Sequence, residues 1–226
     1  MFAYVGESNE ELAELYEALK RASENDVIRV KYGKSKEHRD GWGYVINAAN
    51  GIFQYKTGRA IFDDDHELPR AEGMMQAIFH ARLASDKGKI GSIFSHPYFA
   101  AAEDRMIWLA HNGALKENAA TDPNLVDSEY ILKSVTNRGM DGGVEESKRA
   151  TDTALNLLVL EVKRSTMSAS LKYLNYYPKD DMKEYYDMYH SRMRGGAAVF
   201  SSTLKEYGLR GAEKVKYGTL EELEWH

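Results

Sequence analysis

Apolar residues gather into short runs separated by polar turns, and the spacing within each run predicts its element. Phe2-Ala3-Tyr4-Val5 is a β-type run ended by Gly6. Ser8 then opens a helix with Glu11 as its capping-box partner. Leu12, Leu15, Tyr16 and Leu19 recur at helical spacing and give that helix one apolar face. Gly41 to Asn47 and Ile52 to Lys56 are strand-like and flank Ala48-Ala49-Asn50-Gly51, whose Asn-Gly pair signals a hairpin. Ala77-Ile78-Phe79 and Met106 to Ala110 are buried strands. Each leads directly into polar residues, His80-Ala81-Arg82 and His111-Asn112-Gly113, a common way to build a site on a rigid scaffold.

Further along, Ser128 to Arg138 predicts a helix stopped by Gly139, and Glu145 to Lys163 a longer helix. Ser168 to Tyr176 alternates like a half-buried strand, and Ala197 to Ser201 is a final core strand. Asp180 to Arg194 fits either a helix or a tyrosine-rich strand, with the helix favoured. Clustered strands with hairpins between helices indicate an α+β fold rather than a parallel doubly wound sheet.

Composition narrows the class. The chain has 226 residues, 30 Lys plus Arg against 35 Asp plus Glu, a formal net charge of −5 and 43% hydrophobic residues. With 4 Pro, no Gly/Ser-rich linker and no repeat, residues 1–226 read as one domain with a sizeable core. Interspersed apolar runs exclude a disordered chain. Mild acidity gives no electrostatic reason to expect nucleic acid or an anionic membrane as partner. No apolar run approaches the roughly 20 residues of a membrane span. The amino terminus lacks the layout of a signal peptide, so a cytoplasmic protein is expected. There is no cysteine, which removes disulfides, thiolate metal sites and a catalytic thiol from the residues given.

Six polar clusters stand in order: His38-Arg39-Asp40-Gly41-Trp42-Gly43, His80-Ala81-Arg82-Leu83-Ala84-Ser85, Ser95-His96-Pro97-Tyr98, Ala110-His111-Asn112-Gly113, Asp127-Ser128-Glu129 and Phe200-Ser201-Ser202. In this order and at these spacings they resemble class II glutamine amidotransferases, of the N-terminal-nucleophile hydrolase superfamily, from Met1 to about Thr203. HRDGWG, HARLAS, SHPY and AHNG are the specific pieces. The resemblance implies a four-layer αββα sandwich, with two antiparallel sheets between helical layers, and no metal or organic cofactor.

It also implies roles. The Asn112 side-chain amide and the Gly113 backbone N–H would form an oxyanion hole, glycine letting the backbone approach closely. Arg82 would clamp the substrate α-carboxylate with its fork of donors. Asp127 would receive the α-ammonium, and Ser85, Trp42 and Gly43 would line the pocket. The family's nucleophile is an N-terminal Cys whose own α-amine serves as base. This sequence instead opens Met1-Phe2-Ala3-Tyr4-Val5-Gly6. Because the Cys-first subgroup often opens Met-Cys-Arg before a hydrophobic residue, Met1 fits the fourth position of that opening. The native start is therefore expected three residues upstream, with the residues given forming an inactive truncation. The alternative is a regulatory domain that binds glutamine or a γ-glutamyl ligand and has lost its nucleophile.

Plainer readings accompany these. His80, His96 and His111 would suit a zinc site by residue type, yet their spacing is not helical. His80 and His111 are expected to be hydrogen-bonded structural residues and His96 a loop anchor. Arg82 alone would pair with a core acid, Asn112-Gly113 alone would be a turn, and Asp127 alone would be a helix N-cap. Asp63-Asp64-Asp65-His66 reads as a solvated acidic turn. The tyrosines at 173, 176, 177, 185, 186 and 189 read as core or subunit contacts. Ser201 and Ser202 lack a nucleophile elbow and read as pocket lining. The partners implied are glutamine or a γ-glutamyl small molecule and, beyond that, a separate ammonia-accepting synthase or a homo-oligomer.

Overall fold

The computed structural model describes residues 1–119, 122, 125–209 and 211–225. Twelve strands run through the described residues: β1 (Phe2–Gly6), β2 (Trp42–Ala48), β3 (Gly51–Thr57), β4 (Met75–Ala81), β5 (Tyr98–Ala102), β6 (Arg105–Asn112), β7 (Asn156–Lys163), β8 (Ala169–Leu174), β9 (Met188–Arg192), β10 (Gly196–Ser201), β11 (Glu213–Lys214) and β12 (Glu221–Glu222). The helices are α1 (Asn9–Glu24), α2 (Val27–Lys31), α3 (Asp127–Ala150) and α4 (Lys183–Tyr186). The fold is α+β, with a seven-stranded sheet ordered β11-β9-β10-β1-β4-β2-β3 and a five-stranded sheet ordered β12-β8-β7-β6-β5. All strand pairs within them are antiparallel.

Strand parity sorts the core. Successive side chains of a strand point to opposite faces. Phe2 and Tyr4 of β1 join Tyr44, Phe79 and Phe200 in a cluster with Leu12, Leu15, Tyr16 and Leu19 of α1. Met1, Ala3 and Val5 point the other way, into a cluster shared with Trp108, Ala110, Leu158 and Leu160 of the five-stranded sheet. The alternate residues of that sheet, Ile107, Leu109, Leu157 and Val159, pack with Ile131, Leu132 and Val135 of α3. Because β1, β4 and β10 are buried on both faces, their sequences are nearly continuous apolar runs.

Several elements follow the sequence reading and some depart from it. The hairpin of β2 and β3 turns at Ala49-Asn50, and Gly51, the first residue of β3, takes φ 139°. Ser8 caps α1 by accepting the Glu11 N–H at 3.2 Å. The second half of the capping box is absent: the Glu11 carboxylate accepts the Gly195 N–H at 2.9 Å, and the Ser8 N–H donates to Tyr4 Oη. The helix predicted over Glu145 to Lys163 ends at Ala150, and Asn156–Lys163 is the central strand β7. A short, continuous apolar run does not distinguish a buried helix from a buried strand, and two-sided burial decides for the strand. Gly139, at φ 76° and ψ 169°, is non-helical and breaks α3 into two helical segments where the stop was expected. The region from 180 to 194 is a single helical turn, α4, followed by strand β9, not one helix.

Asp63 to His66 is a solvated turn only in part: Asp63 and Asp65 are exposed, but Asp64 is not. Asp64 is buried, accepting Trp42 Nε1–H at 2.9 Å and the Tyr55 hydroxyl at 2.8 Å. His66 stacks on Tyr55 with ring centroids 3.7 Å apart. No helix among the described residues is long and apolar enough to cross a membrane.

Candidate functional site

The ends of β4, β6 and β10, the start of β1 and the first turn of α3 converge on one cavity of about 570 Å³. His80, Arg82, His111, Asn112, Gly113, Ser201 and Ser202 line it, as do Asp127, Ser128 and Ser85. Of the seven site residues expected from sequence, five are brought together here and two are not. Trp42 is fully buried and faces α1, because its parity on β2 matches that of Tyr44 and Ile46. Gly43 faces the opposite side, but against backbone: a Cβ there would lie 2.4 Å from the Tyr55 carbonyl and 2.6 Å from that of His96. Its role is to let the His96 segment approach.

Arg82 is 8% exposed, and its Nη1 donates to the Lys89 carbonyl at 2.6 Å. Among the described residues no carboxylate pairs with it, so the core-acid alternative does not hold. A buried guanidinium without a counter-charge is costly unless an anion completes it. Asp127 is the first residue of α3 rather than its cap; Val126 holds that position, and the Glu129 carboxylate bonds back to its N–H at 3.0 Å. One oxygen of Asp127 accepts the Leu115 N–H at 2.8 Å, which fixes the carboxylate at the cavity wall.

Asn112 ends β6 opposite Asn156 of β7, and its Oδ1 lies 2.9 Å from His80 Nε2. Gly113 follows at φ 138°, where a Cβ would meet the Ala154 carbonyl at 1.8 Å, so only glycine fits this turn. Neither the Asn112 amide nitrogen nor the Gly113 N–H donates to another described residue. Two N–H donors on adjacent residues, open to a cavity, are suited to holding a negatively charged oxygen.

Behind them lie three buried histidines. The rings of His80 and His96 are 4.0 Å apart, His96 Nε2 lies 2.7 Å from Ser128 Oγ, and His111 spans Ser128 Oγ and the Ala154 carbonyl. Burial drives His80 and His96 well toward the neutral form, with neighbouring positive groups adding to it, and lowers His111 against the opposing pull of the Ala154 carbonyl and Asp127. His96 thus does more than anchor a loop: it lines the cavity. No group of three or more His, Cys, Asp or Glu among the described residues is arranged to hold a metal ion.

The opposite wall holds a cluster that the sequence did not reveal. Asp26 accepts from Thr203 Oγ1 at 2.7 Å and from the Arg29 N–H at 3.0 Å, and lies 2.9 Å from His38 Nε2. Burial pushes this carboxyl up, but these partners outweigh it and hold it below the usual range. In sequence Asp26 looks like a helix cap, which it also is; Thr203 lies 177 positions away. Tyr185 and Tyr186 also line the cavity.

Met1 sits between the two walls. It is 3% exposed, and its amine lies 3.1 Å from Ser201 Oγ. Burial pushes that amine down to about 5, against the pull of Asp26. No family model matches the chain, and no curated protein matches it.

Proposed function

We propose that this cavity hydrolyses the γ-amide of glutamine or of a γ-glutamyl compound, with an N-terminal Cys preceding Met1 as nucleophile. The observation that carries the reading is Arg82: a buried guanidinium without a carboxylate partner among the described residues, sharing one cavity with two open N–H donors and a fixed carboxylate. An α-amino acid with an amide side chain offers the complementary groups. Its carboxylate meets Arg82, its ammonium meets Asp127, and the amide oxygen faces Asn112 and Gly113.

The register of β1 supports the same chemistry. Phe2 lies opposite Phe79 on β4 and Phe200 on β10. Continued upstream, the strand would reach the level of Arg82 and Thr203 two residues before Met1. That position shares the parity of Met1 and Ala3, which face the space between the sheets. A cysteine there would point toward the cavity side of β4 that carries His80 and Arg82.

Its thiolate would attack the amide carbon, the oxyanion resting on Asn112 and Gly113. The Cys α-amine would carry the thiol proton to the departing ammonia, leaving a thioester that water cleaves to glutamate. Ammonia passes to a separate synthase or is released. The three core clusters support the four-layer αββα arrangement. A cytoplasmic setting accords with a nucleophilic thiol that must stay reduced.

The test is to add Met-Cys-Arg before Met1 and to measure ammonia and glutamate released from glutamine and γ-glutamyl amides. Turnover that disappears when the added cysteine is replaced by alanine is the expected result. Binding of these compounds without turnover would replace the hydrolase reading with a γ-glutamyl-binding regulatory domain.

A further inference from the structure

Hydrogen-bond bookkeeping among the buried histidines has one consistent solution. The Ala154 carbonyl can only accept, so His111 donates from Nε2 at 3.2 Å. In the neutral form that burial favours, its Nδ1 accepts from the Ser128 hydroxyl, 3.3 Å away. Ser128 Oγ then accepts the Nε2–H of His96 at 2.7 Å, and His96 Nδ1 is left bare. That Nδ1 is buried and has no partner among the described residues.

His80 Nδ1 is buried and without a partner in the same way. An orphaned buried N–H is costlier and rarer than an orphaned acceptor. The His80 proton therefore belongs on Nε2, which faces Asn112 Oδ1 at 2.9 Å. With its oxygen held there, the amide of Asn112 must present its NH2 group away from His80. His80 leaves Asn112 no alternative, because a ring with Nε2–H cannot accept from the NH2 group.

We propose that His80 is the positioning residue that fixes the Asn112 carboxamide with its NH2 group toward the cavity, setting up the donor for a developing oxyanion. The catalytic consequence rests on the hydrolase reading above; the orientation itself does not. His80 sits on β4 and Asn112 on β6, one from each sheet, so the bond also ties the donor to both halves of the scaffold.

Two measurements decide it. In the chain as it stands, imidazole 15N shifts should report a neutral His80 protonated at Nε2 and bare at Nδ1, with the Asn112 NH2 resonances displaced in His80→Leu. A proton on Nδ1, or Asn112 resonances unmoved by His80→Leu, would overturn the proposal. In the chain extended by Met-Cys-Arg, His80→Leu should lower kcat about 10²-fold with KM changed by less than about threefold, the range for losing one oxyanion donor. His80→Gln, which places an amide N–H near the position of Nε2, should restore most of kcat. Equal kcat in the wild type and His80→Leu would overturn the positioning role. An extended wild type without turnover would instead defeat the hydrolase reading, leaving the 15N shifts to decide the orientation.

Discussion

Arg82 donates to the main-chain carbonyl of Lys89 at 2.6 Å and lines the cavity, and among the described residues no carboxylate is ion-paired with it. The bond fixes the guanidinium without neutralising it, and the remaining donors suit a ligand carboxylate. Arg82→Ala should weaken binding of glutamine or glutamate by about 10- to 100-fold, the worth of a charge-assisted hydrogen bond. Because no ion pair inside the fold is broken, thermal stability should change little. Calorimetric titration beside a melting curve checks both. A large loss of stability with unchanged binding would assign Arg82 a structural role instead.

Gly113→Ala should be among the most damaging single substitutions. The backbone there has φ 138°, and the added Cβ would meet the Ala154 carbonyl at 1.8 Å. Either the Ala154 segment ahead of β7 must retreat or the turn must change its conformation, at a cost of about 3 kcal/mol or more. Urea unfolding measures it.

The Met1 amine gives a pH signature. Its folded pKa is about 5, against 8.0 when unfolded. Between these values the unfolded chain binds a proton that the folded chain excludes, so stability falls as pH drops from 8 to 5. The cost reaches about 4 kcal/mol below that window. His80, His96 and His111, whose pKa values burial also lowers, add in the same direction below their ordinary value. Extending the chain by Met-Cys-Arg converts the Met1 amine to an amide and moves the terminal amine from beside Ser201 to the level of Arg82 and Thr203. Unfolding curves for the two chains should diverge between pH 8 and 5, the extended chain being the flatter.

Asp26→Asn should destabilise the fold by about 1–3 kcal/mol at neutral pH, because an amide retains the acceptor toward Thr203 and Arg29 but presents N–H groups to His38. Asp26 has a lowered folded pKa, so its stabilisation is present above its unfolded value and is lost as pH falls through the folded one. The variant should therefore show a shallower acid limb below about pH 4, read from stability against pH.

Much of this arrangement was legible in residue order. Strands β1, β4, β6 and β10 announced themselves as apolar runs, and two of them handed His80-Ala81-Arg82 and His111-Asn112-Gly113 straight to the cavity. Trp42 misled because the motif that contains it is contiguous in sequence, while pleating sends neighbouring residues to opposite faces. Asn156–Lys163 misled for the converse reason: burial on both faces erases the alternation that marks a strand.

The sequence by itself determined the class of fold, the hairpin of β2 and β3, the absence of a thiol between Met1 and His226 and most of the polar groups at the cavity. Those follow from local patterning and from chemistry carried by single residues. Only the tertiary structure decided which charges are paired and which are not. It left Arg82 without a counter-ion among the described residues, joined Asp26 to Thr203 across 177 positions and set His80 of one sheet against Asn112 of the other. Pairing is a property of distance in space, and strands remote in sequence reach it only when two sheets close over a shared core.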